Sequence, residues 1–383
     1  MGKKPKALHL TTVHNPFDVR IFHKQCVSLA KAGFDVALAQ RGEVDETRDG
    51  VRIRALPRYG SRIKRMTLGV WHAFRVAREE RAQIVHLHDI ELLWAGILLR
   101  LFGAKVIYDC HEDVAADLDD KAYLPRACIR PLKIVVRAVE GVAARACSRI
   151  VVATSGIERN FAGFDPVLLR NVPILGELAS LNAPTFSQRD RRIVYIGGLA
   201  PFNGVEQMIR AMGILPEGHG IRLTLGGEFA SEAEEQTARG LPGAEYVDFI
   251  GWVGRDQVAR EFARARAGLV VYQPTANVVN SEPNKFFEVL SAGLPLIASD
   301  FPHWRVLVEA ADCGQLVDES DPHSISEAIL RAVDHPDVSE ASGARGRQFV
   351  EAERNWAREE GKLIAMYENL LGSASRQRIT DAA

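Results

Sequence analysis

The chain has 383 residues, of which 47% are hydrophobic and 25% are charged, and its formal net charge at pH 7 is −1. This composition is ordinary for a globular protein, and the length favours two domains over one. The near-zero net charge gives no indication of nucleic-acid binding, so we expect no nucleic-acid partner.

The cysteines and the N-terminus indicate a cellular compartment. The five cysteines are scattered and lack the close spacing of a zinc site or a disulfide framework. The first six residues lead directly into a strand, without the apolar core of a signal peptide. No apolar run reaches the ~18 residues that a membrane span needs, and the longest, Leu92 to Phe102, contains Arg100. We therefore expect a cytoplasmic protein.

Strands and helices alternate through the first half of the chain. Apolar segments typical of buried strands lie at Ala7–Thr11, Asp35–Ala39, Val51–Leu56, Ile84–His88, Lys105–Asp109 and Arg149–Ala153. Amphipathic helical patterns separate them, at Ile21–Ala32, Met66–Arg81, Ile90–Phe102 and Pro125–Cys147. Strands joined through helices predict right-handed crossovers and a parallel sheet.

The same pattern restarts in the second half. Strands are predicted at Arg192–Ile196, Ile221–Leu225, Tyr246–Ile250, Ala267–Tyr272 and Leu294–Ala298. We expect an N-terminal Rossmann-like domain at 1–172, a linker at 173–190 and a C-terminal Rossmann-like domain at 191–355. A terminal helix at 356–372 and a disordered tail at 373–383 complete the prediction.

The segment from Asn280 to Asp300 carries the most information about function. Pro283 can start a helix, Gly293 can end it, and a short apolar strand follows. A helix start presents free N–H groups and a positive dipole end, which suit a phosphate, and Lys285 adds a full positive charge there. Glu288, one turn later, can accept hydrogen bonds from sugar hydroxyls. The alternatives are that Lys285 is only an exposed surface lysine and that Glu288 only caps the helix or lies on its solvated face.

This segment resembles the donor-binding motif of GT-B glycosyltransferases, in particular the large family 4 group. That motif has two glutamates separated by seven residues, followed by an Ala-Gly-x-Pro turn. Glu288 matches the second glutamate, Asn280 occupies the position of the first, and Glu282 lies two residues after it. The resemblance covers nearly the whole chain and implies two tandem Rossmann-like domains, a deep cleft between them and a terminal helix that crosses back onto the N-terminal domain.

The resemblance implies a donor site for a nucleoside-diphosphate sugar of the UDP or GDP type, bound as substrate and not as a cofactor. The family places an arginine and a lysine in the loop that matches Gly197 to Gly204, but Gly198 and Asn203 occupy those positions here. Lys285 is then the cation expected at the diphosphate, and Arg255 is a weaker candidate. Trp252 is expected either to stack on the base or to pack. The full predicted set of donor-binding residues is Gly197, Gly198, Asn203, Gly227, Trp252, Val253, Asn280, Glu282, Asn284, Lys285, Phe286 and Glu288.

Polar residues also follow two strands of the N-terminal half. His111 matches a family histidine near the transferred sugar, and the alternative is a structural hydrogen bond. Glu112 and Asp113 are expected either to cap the next helix or, if configuration were inverted, to act as the base. Asp89 is expected to cap the helix that follows it, and the alternative is contact with substrate.

The loop between the first strand and the first helix carries His14, Asp18 and Arg20 where relatives often have glycines. These residues are expected to contact the acceptor or a phosphate. The alternative for Asp18 and Arg20 is a local ion pair. The sequence has no Asp-x-Asp motif at a strand end, so we expect no metal site.

Two basic groups in the N-terminal half predict contact with an anionic membrane. One comprises Lys121, Arg126, Arg130, Lys133, Arg137, Arg145 and Arg149, and the other comprises Arg52, Arg54, Arg58, Arg62, Lys64 and Arg65. Apolar residues between the first set give a basic amphipathic surface, for which a solvated helix face is the alternative.

Together these features predict a glycosyltransferase that retains configuration, as the resembled family does. The expected acceptor is a lipid-linked or polysaccharide intermediate of bacterial exopolysaccharide, capsule or lipopolysaccharide synthesis, at the inner face of the cell membrane. Two alternatives are a catalytically weak subunit that binds the nucleotide sugar, favoured by Gly198, Asn203 and Asn280, and a GT-B nucleotide-sugar epimerase.

Overall fold

The computed structural model describes residues 4–120, 124–178 and 184–372. The chain forms two compact units, one from Met1–Asn171 together with Ala357–Ala383, and the other from Val172–Trp356. The predicted tail 373–383, part of the predicted linker and Lys121 of the first basic group lie outside the described residues.

The first unit is built on eight strands. They are β1 Lys6–Leu10, β2 Asp35–Arg41, β3 Glu46–Arg48, β4 Val51–Leu56, β5 Ile84–Leu87, β6 Lys105–Cys110, β7 Arg149–Val152 and β8 Val167–Leu168. Its helices before the second unit are α1 Val27–Lys31, α2 Arg62–Lys64, α3 Val70–Glu80, α4 Leu93–Leu101, α5 Val114–Asp117, α6 Arg126–Ala146 and α7 Ser155–Asn160. Wider π-type turns at Val19–Cys26 and Arg65–Gly69 run directly into α1 and α3.

The strands of the first sheet lie in the order β3-β4-β2-β1-β5-β6-β7-β8. All neighbouring pairs are parallel except β3 and β4. The antiparallel pair was not predicted, although its signal is in the sequence: Asp49 and Gly50 both have positive φ and form the two-residue turn between Arg48 and Val51. The strand order reverses beside β1, as in a Rossmann fold.

The second unit contains a six-stranded sheet. Its strands are β9 Arg192–Ile196, β10 Arg222–Gly226, β11 Val247–Gly251, β12 Ala267–Val270, β13 Leu296–Ser299 and β14 Gly314–Val317. Its helices are α8 Val205–Ile214, α9 Glu232–Arg239, α10 Arg255–Arg264, α11 Asn284–Ser291, α12 Pro302–Ala311, α13 Pro322–Asp334 and α14 Pro336–Glu353. The order β11-β10-β9-β12-β13-β14 is the doubly wound order of a dinucleotide-binding fold, and every pair is parallel.

Burial explains why these segments form strands. Every residue of β5, β12 and β13 is buried, because helices cover both faces of each sheet. Strands of this kind are continuous apolar runs without alternation, and this is the pattern that predicted them. Each unit has its own hydrophobic core. The α/β prediction with two Rossmann-like domains is confirmed.

The last helix, α15 Trp356–Leu371, belongs almost entirely to the first unit. Glu359 accepts a hydrogen bond from the backbone N–H of Arg170. The hydroxyl of Tyr367 is hydrogen bonded to His9 and His86 in the core of the first unit. Residues from the end of the chain therefore complete the fold of its beginning. Among the described residues, no helix combines the length and apolarity that a bilayer crossing requires.

Candidate functional site

The strand orders locate the place where each unit is expected to bind a ligand. In doubly wound sheets, ligands bind beyond the carboxyl ends of the strands where the order reverses. In the second unit this point lies between β9 and β12. The loop after β9 runs from Gly197 to Gly204, hereafter the glycine loop, and α11 follows the loop after β12.

Lys285, in the first turn of α11, lies directly on the glycine loop. A Cβ added at Gly197 would be 1.8 Å from Cε of Lys285 and 2.9 Å from its Nζ. Any other side chain at position 197 would therefore collide with Lys285, so glycine is required for the lysine side chain to lie across the loop. Lys285 thus places a positive charge at the N-terminal end of α11 and beside the backbone of the glycine loop. An anion bound there would be stabilised both by the ammonium and by the helix dipole.

Tyr272 fixes the charge of this lysine. Interaction with the Tyr272 side chain raises the pKa of Lys285, and the Glu288 carboxylate adds to the effect against the opposing influence of burial. Lys285 is therefore an ammonium ion throughout the neutral pH range. Tyr195, whose hydroxyl donates to the carbonyl of Gly198 at 3.0 Å, ties the glycine loop to the same group of side chains.

Two further glycines allow this part of the second unit to pack closely. A Cβ at Gly204 would lie 1.8 Å from the carbonyl oxygen of Val271, and one at Gly227 would lie 1.8 Å from that of Gly197. Both glycines have positive φ. The glycine loop is thus held against its neighbours through backbone contacts that a side chain would prevent.

Glu288 belongs to an ion-pair group whose centre is Arg255. Its Oε1 accepts from Arg255 at 2.7 Å, and the same guanidinium donates to both carboxylate oxygens of Glu177, at 2.8 and 2.6 Å. Burial opposes the charge of Arg255, but the two carboxylates raise its pKa above its ordinary value. Arg255 is thereby committed to carboxylates, which argues against the prediction that it binds a phosphate.

The remaining predicted donor residues differ in how exposed they are. Trp252 is 73% exposed, so the alternative that it only packs is wrong. The Phe286 side chain is 1% exposed and packs on Phe287 and Trp304, so the prediction that it contacts the donor is corrected for the side chain. Phe286 and Phe287 both belong to the hydrophobic core of the second unit. Asn280 is exposed, whereas Asn203 is buried. Gly198 belongs to the glycine loop, Val253 lies just before α10, and Asn284 is the first residue of α11.

Glu282 lies next to two basic side chains. One of its oxygens lies 3.2 Å from Nε2 of His303, and the other lies 3.9 Å from Nε of Arg354. Glu282, which was predicted to bind the donor, thus lies beside the side chains of His303 and Arg354. These partners come from α12 and from the end of α14, which the sequence pattern around Glu282 did not indicate.

In the first unit the strand order reverses between β1 and β5, and Asp89 joins the loops that follow them. Its Oδ2 accepts from Thr11 and from the backbone N–H and hydroxyl of Thr12, with distances of 2.5–3.2 Å, and from the N–H of Val13 at 3.2 Å. Its side chain makes no capping bond to the helix that follows. The prediction that Asp89 caps that helix is wrong, because four donor groups of the neighbouring loop bind the carboxylate instead.

Arg20 and Asp18 also differ from the prediction. Arg20 is 3% exposed and donates to Asp109, with its Nη2 2.8 Å from Oδ1, and to the carbonyl of Leu169. Asp18 instead caps its own helix by accepting from the N–H groups of Arg20 and Ile21. The local ion pair is therefore absent between these two residues, and the buried Arg20 guanidinium is committed to Asp109.

His111 lies at the edge of a buried histidine cluster. Its Nε2 is 3.1 Å from both Oδ2 of Asp109 and Nδ1 of His88. The His111 side chain is 11% exposed, and its ring centre is 4.9 Å from that of His14. His14 itself lies 3.5 Å from Asp89. The structure thus places His111 and His14 together at the end of the first sheet.

Asp113 and Glu112 have different surroundings. Asp113 caps α5 through the N–H of Ala116 and accepts from Arg137 and Asn160. Burial alone would raise the pKa of Asp113, but these donors hold it below its ordinary value. A carboxylate with these partners is a weak base. Glu112 is exposed.

Ion pairs neutralise much of the second predicted basic group. Arg52 pairs with Asp35 and Glu80, and Arg54 pairs with three carboxylates including Glu80. Arg65 pairs with Glu91. This part of the predicted basic surface is therefore weaker than the sequence suggested.

Several residues that shape these sites were not predicted. Glu177 and Tyr272 in the second unit, and Asp109 and Tyr367 in the first, act through partners far away in the sequence. In the sequence, the only local indication of these residues was the presence of histidines within the apolar strands β1 and β5. The ring nitrogens of His9, His86 and His88 that could bind a metal ion lie within 4.8 Å of one another. The same is true of the corresponding atoms of His88, Asp109 and His111. Hydrogen bonds join His9 to His88 and His88 to His111, whereas His86 packs against the rings of His9 and His88.

Family models and solved structures provide an independent comparison. Residues 19–174 match the glycosyl transferase 4-like domain, and residues 190–335 match the glycosyl transferases group 1 domain, so the two models together span most of the chain. No protein among the curated sequences matches.

Solved structures resemble the chain over nearly its whole length. Sucrose-phosphate synthase from Thermosynechococcus elongatus has a TM-score of 0.74 at 18% identity, covering 96% of this chain and 99% of its own. HepE from Anabaena, solved with UDP-glucose, has a TM-score of 0.70 at 11% identity over 94% and 99%. WaaG, a glycosyltransferase involved in lipopolysaccharide biosynthesis, has a TM-score of 0.69 at 15% identity over 93% and 98%. At these identities the structures establish a shared fold.

Proposed function

Because the chain is a glycosyltransferase of group 1 with the GT-B fold, we propose that it transfers a sugar from a nucleoside-diphosphate sugar to a hydroxyl group of a carbohydrate or lipid-linked acceptor. The position of Lys285 against the glycine loop is the observation that supports this proposal most strongly. The diphosphate leaving group gains negative charge as the sugar departs, and a fixed ammonium beside it lowers the barrier.

Glu288 is proposed to bind the ribose. Arg255 holds one of its oxygens, and the other has no hydrogen-bond partner among residues 4–120, 124–178 and 184–372. A carboxylate oriented in this way can accept a hydrogen bond from a ribose hydroxyl. The exposed Trp252 indole, next to α10, provides a face on which the base can stack.

Retention of configuration is proposed from the family and from the state of Asp113. An inverting enzyme needs a base at the acceptor hydroxyl. Asp113 is occupied by Arg137, Asn160 and a helix N-terminus, so it is poorly suited to this role. We place the activity in the cytoplasm and in the synthesis of a bacterial surface polysaccharide, where WaaG, the lipopolysaccharide enzyme of the same fold, provides the analogy.

A panel of nucleoside-diphosphate sugars should identify the donor. We expect one or more UDP- or GDP-sugars to raise the unfolding temperature, because a ligand that binds only the folded state stabilises it. Glu288→Ala should weaken donor binding roughly tenfold. A hydrogen bond to a charged group contributes about 1.5–3 kcal/mol, and the water that replaces the carboxylate recovers part of this free energy.

The control is Glu327→Ala, a carboxylate that is 71% exposed on α13. Binding of the donor without transfer to any acceptor or water would favour the weak-subunit alternative, and turnover of the donor without an acceptor would favour an epimerase. No binding by any member of the panel would contradict the proposal.

We also propose contact between the first unit and an anionic membrane. Large apolar side chains are exposed on α4 and α6 and just beyond α4: Trp94, Leu98, Leu101, Phe102, Ile134, Val135, Val139 and Val142. Arg126 and Arg130, on the first turns of α6, are exposed and unoccupied by any acid among the described residues. Apolar side chains with flanking cations are the composition that binds the surface of an anionic bilayer.

Reversal of two of these charges tests membrane binding. Arg126→Glu combined with Arg130→Glu should reduce flotation with vesicles containing anionic phosphatidylglycerol by about tenfold or more, since each cation contributes ~1 kcal/mol. The matched control reverses Arg210 and Arg260 in the second unit. Equal flotation of wild type with anionic and with neutral phosphatidylcholine vesicles would contradict the proposal.

A further inference from the structure

Three side chains that are typical metal ligands meet at the carboxyl end of the first sheet. His88 follows β5, Asp109 lies near the end of β6 and His111 comes directly after β6, and these two strands are parallel neighbours. Nε2 of His111 is 3.1 Å from Oδ2 of Asp109 and 3.1 Å from Nδ1 of His88. Nδ1 of His88 is 3.6 Å from the same carboxylate oxygen. We call these three residues the ligand triad.

The spacing of these three atoms fits a metal ion. Zinc binds histidine nitrogen and carboxylate oxygen at about 2.0–2.2 Å, so two ligand atoms of a tetrahedral site are about 3.3–3.6 Å apart. The three measured separations, 3.1, 3.1 and 3.6 Å, fall within or close to this range. A single ion can therefore reach all three atoms with little movement of the side chains. Three protein ligands leave a fourth position for water.

The protonation of the triad also suits a metal ion. A metal requires an unprotonated imidazole nitrogen and an ionised carboxylate. Burial lowers the pKa of His88 well below its ordinary value, so its ring is neutral. Burial alone would raise the pKa of Asp109, but the Arg20 guanidinium, with His111, holds it well below its ordinary value. A neutral His111 ring can bind a metal through Nε2 and carry its proton on Nδ1.

Side chains behind His88 satisfy its other ring nitrogen. Nε2 of His88 lies 2.9 Å from Nδ1 of His9, and Nε2 of His9 lies 3.1 Å from Oη of Tyr367. With a metal on Nδ1 of His88, Nε2 carries the proton and donates to His9, which in turn donates to Tyr367. The Tyr367 hydroxyl then donates to Nδ1 of His86, at 2.8 Å. Metal-binding histidines usually have a partner of this kind, which fixes the orientation of the ring.

Asp109 is oriented by two further side chains. Gln25 donates to its Oδ2 at 2.7 Å, and Arg20 donates to its Oδ1 at 2.8 Å and to its Oδ2 at 3.3 Å. A carboxylate oxygen has two lone pairs, so Oδ2 can keep the bond from Gln25 while it binds a metal. The positive charge of Arg20 opposes a cation here and therefore favours an ion that gains much from imidazole nitrogen. Zn²⁺ binds such a mixed set of nitrogen and oxygen, whereas Mg²⁺ and Ca²⁺ prefer oxygen ligands.

We propose that His88, Asp109 and His111 form a binding site for one divalent transition-metal ion, most favourably Zn²⁺, with water as the fourth ligand. The site belongs to the first unit alone and does not rest on the proposed sugar transfer. The His111 side chain is 11% exposed, so an ion can enter from that side. The sequence predicted no metal site because it lacks an Asp-x-Asp motif, whereas these ligands come from two neighbouring strands.

Metal titration of the full chain, treated with a chelator and free of a polyhistidine tag, tests the site. Zn²⁺ should raise the unfolding temperature, because an ion that binds only the folded state stabilises it. Co²⁺ should show the intense visible absorption of tetrahedral coordination, and Mg²⁺ at the same concentration should have no effect. In hydrogen exchange, Zn²⁺ should increase the protection of amides in β5 and β6 but not in β9 of the second unit.

His111→Ala removes one ligand at a partly exposed position, where the first unit should still fold. It should weaken Zn²⁺ binding by more than ~100-fold, since losing even a hydrogen-bonded partner of a ligand costs ~10–100-fold. The matched control is His14→Ala, which removes a ring 4.9 Å from that of His111 but outside the ligand triad, and it should bind Zn²⁺ like wild type. No binding of Zn²⁺ or Co²⁺ by wild type, or equal binding by His111→Ala, would overturn the proposal. A wild type that binds Zn²⁺ but no nucleotide sugar would support the metal site and contradict the proposed function.

Discussion

Replacing Lys285 by alanine should lower the rate of sugar transfer by roughly 10²–10³-fold, the usual effect of removing one fixed group that stabilises charge in a transition state. The glycine loop has neither the arginine nor the lysine that the resembled family places there, since positions 198 and 203 are glycine and asparagine. Lys285 is also the only lysine within residues 172–356 of the sequence. We expect most of the loss in kcat, because the diphosphate acquires its additional charge only as the sugar leaves.

Two companion variants distinguish charge from shape. Lys285→Met retains the length of the side chain without its charge and should be as inactive as alanine. Gly197→Ala retains the charge but places a methyl group 1.8 Å from the present position of Lys285 Cε, so it should displace the ammonium and lower kcat as well. Arg210→Ala, a half-exposed cation on α8 paired only with Glu206 in the described structure, is the control and should be fully active. Transfer by Lys285→Ala at the wild-type rate would refute the assigned diphosphate site.

The first unit should lose stability steeply when the pH falls below about 6.5. His9, His86 and His88 have pKa values lowered by burial, so the unfolded chain takes up their protons near pH 6.5 while the folded unit does not. Unfolding then binds up to three protons, and the free energy of unfolding falls by roughly 4 kcal/mol per pH unit around pH 5. The loss ends only near the folded pKa values, about 3 for His86. Asp109 adds a further loss below its ordinary pKa, at still lower pH.

Hydrogen exchange resolves this prediction within one molecule. After correction for intrinsic rates, the protection of amides in β1 and β5 should fall between pH 7 and pH 5. Strand β9 of the second unit is the internal reference, because the histidines of that unit, His219, His303, His323 and His335, are all at least partly exposed. Burial lowers the pKa of His219 as well, so we expect a smaller fall there than in the first unit, where three histidines are fully buried. An equal pH dependence of protection in the two units would contradict the prediction.

Local patterns predicted the strands and most helices, because a strand covered on both faces is apolar throughout and a helix has its own period. The same kind of reasoning failed where a side chain has a distant partner. Asp89 precedes a helix and was expected to cap it, yet the donors that bind it come from residues 11–13. Arg20 was expected to contact the acceptor or a phosphate, with an ion pair to Asp18 as the alternative, but its partner Asp109 is 89 positions away.

The candidate site shows the same division. Lys285 was predicted from its place at a helix start, which is a local feature. Its position over Gly197 and its contact with Tyr272 depend on strands β9 and β12 being neighbours, and no short sequence pattern expresses that adjacency. Phe286 was assigned to the donor site by position in the motif, whereas packing against Trp304 takes its side chain into the core.

Tyr367 is separated from His86 by 281 positions, with the whole second unit encoded between them. During synthesis the strands β1 to β8 therefore leave the ribosome long before the helix that satisfies their buried histidines. The second unit is continuous in sequence and can fold as it emerges, but the first must wait with a polar gap in its core. A released chain that ends at residue 356 should have a second unit that resists proteolysis, while its first unit remains sensitive.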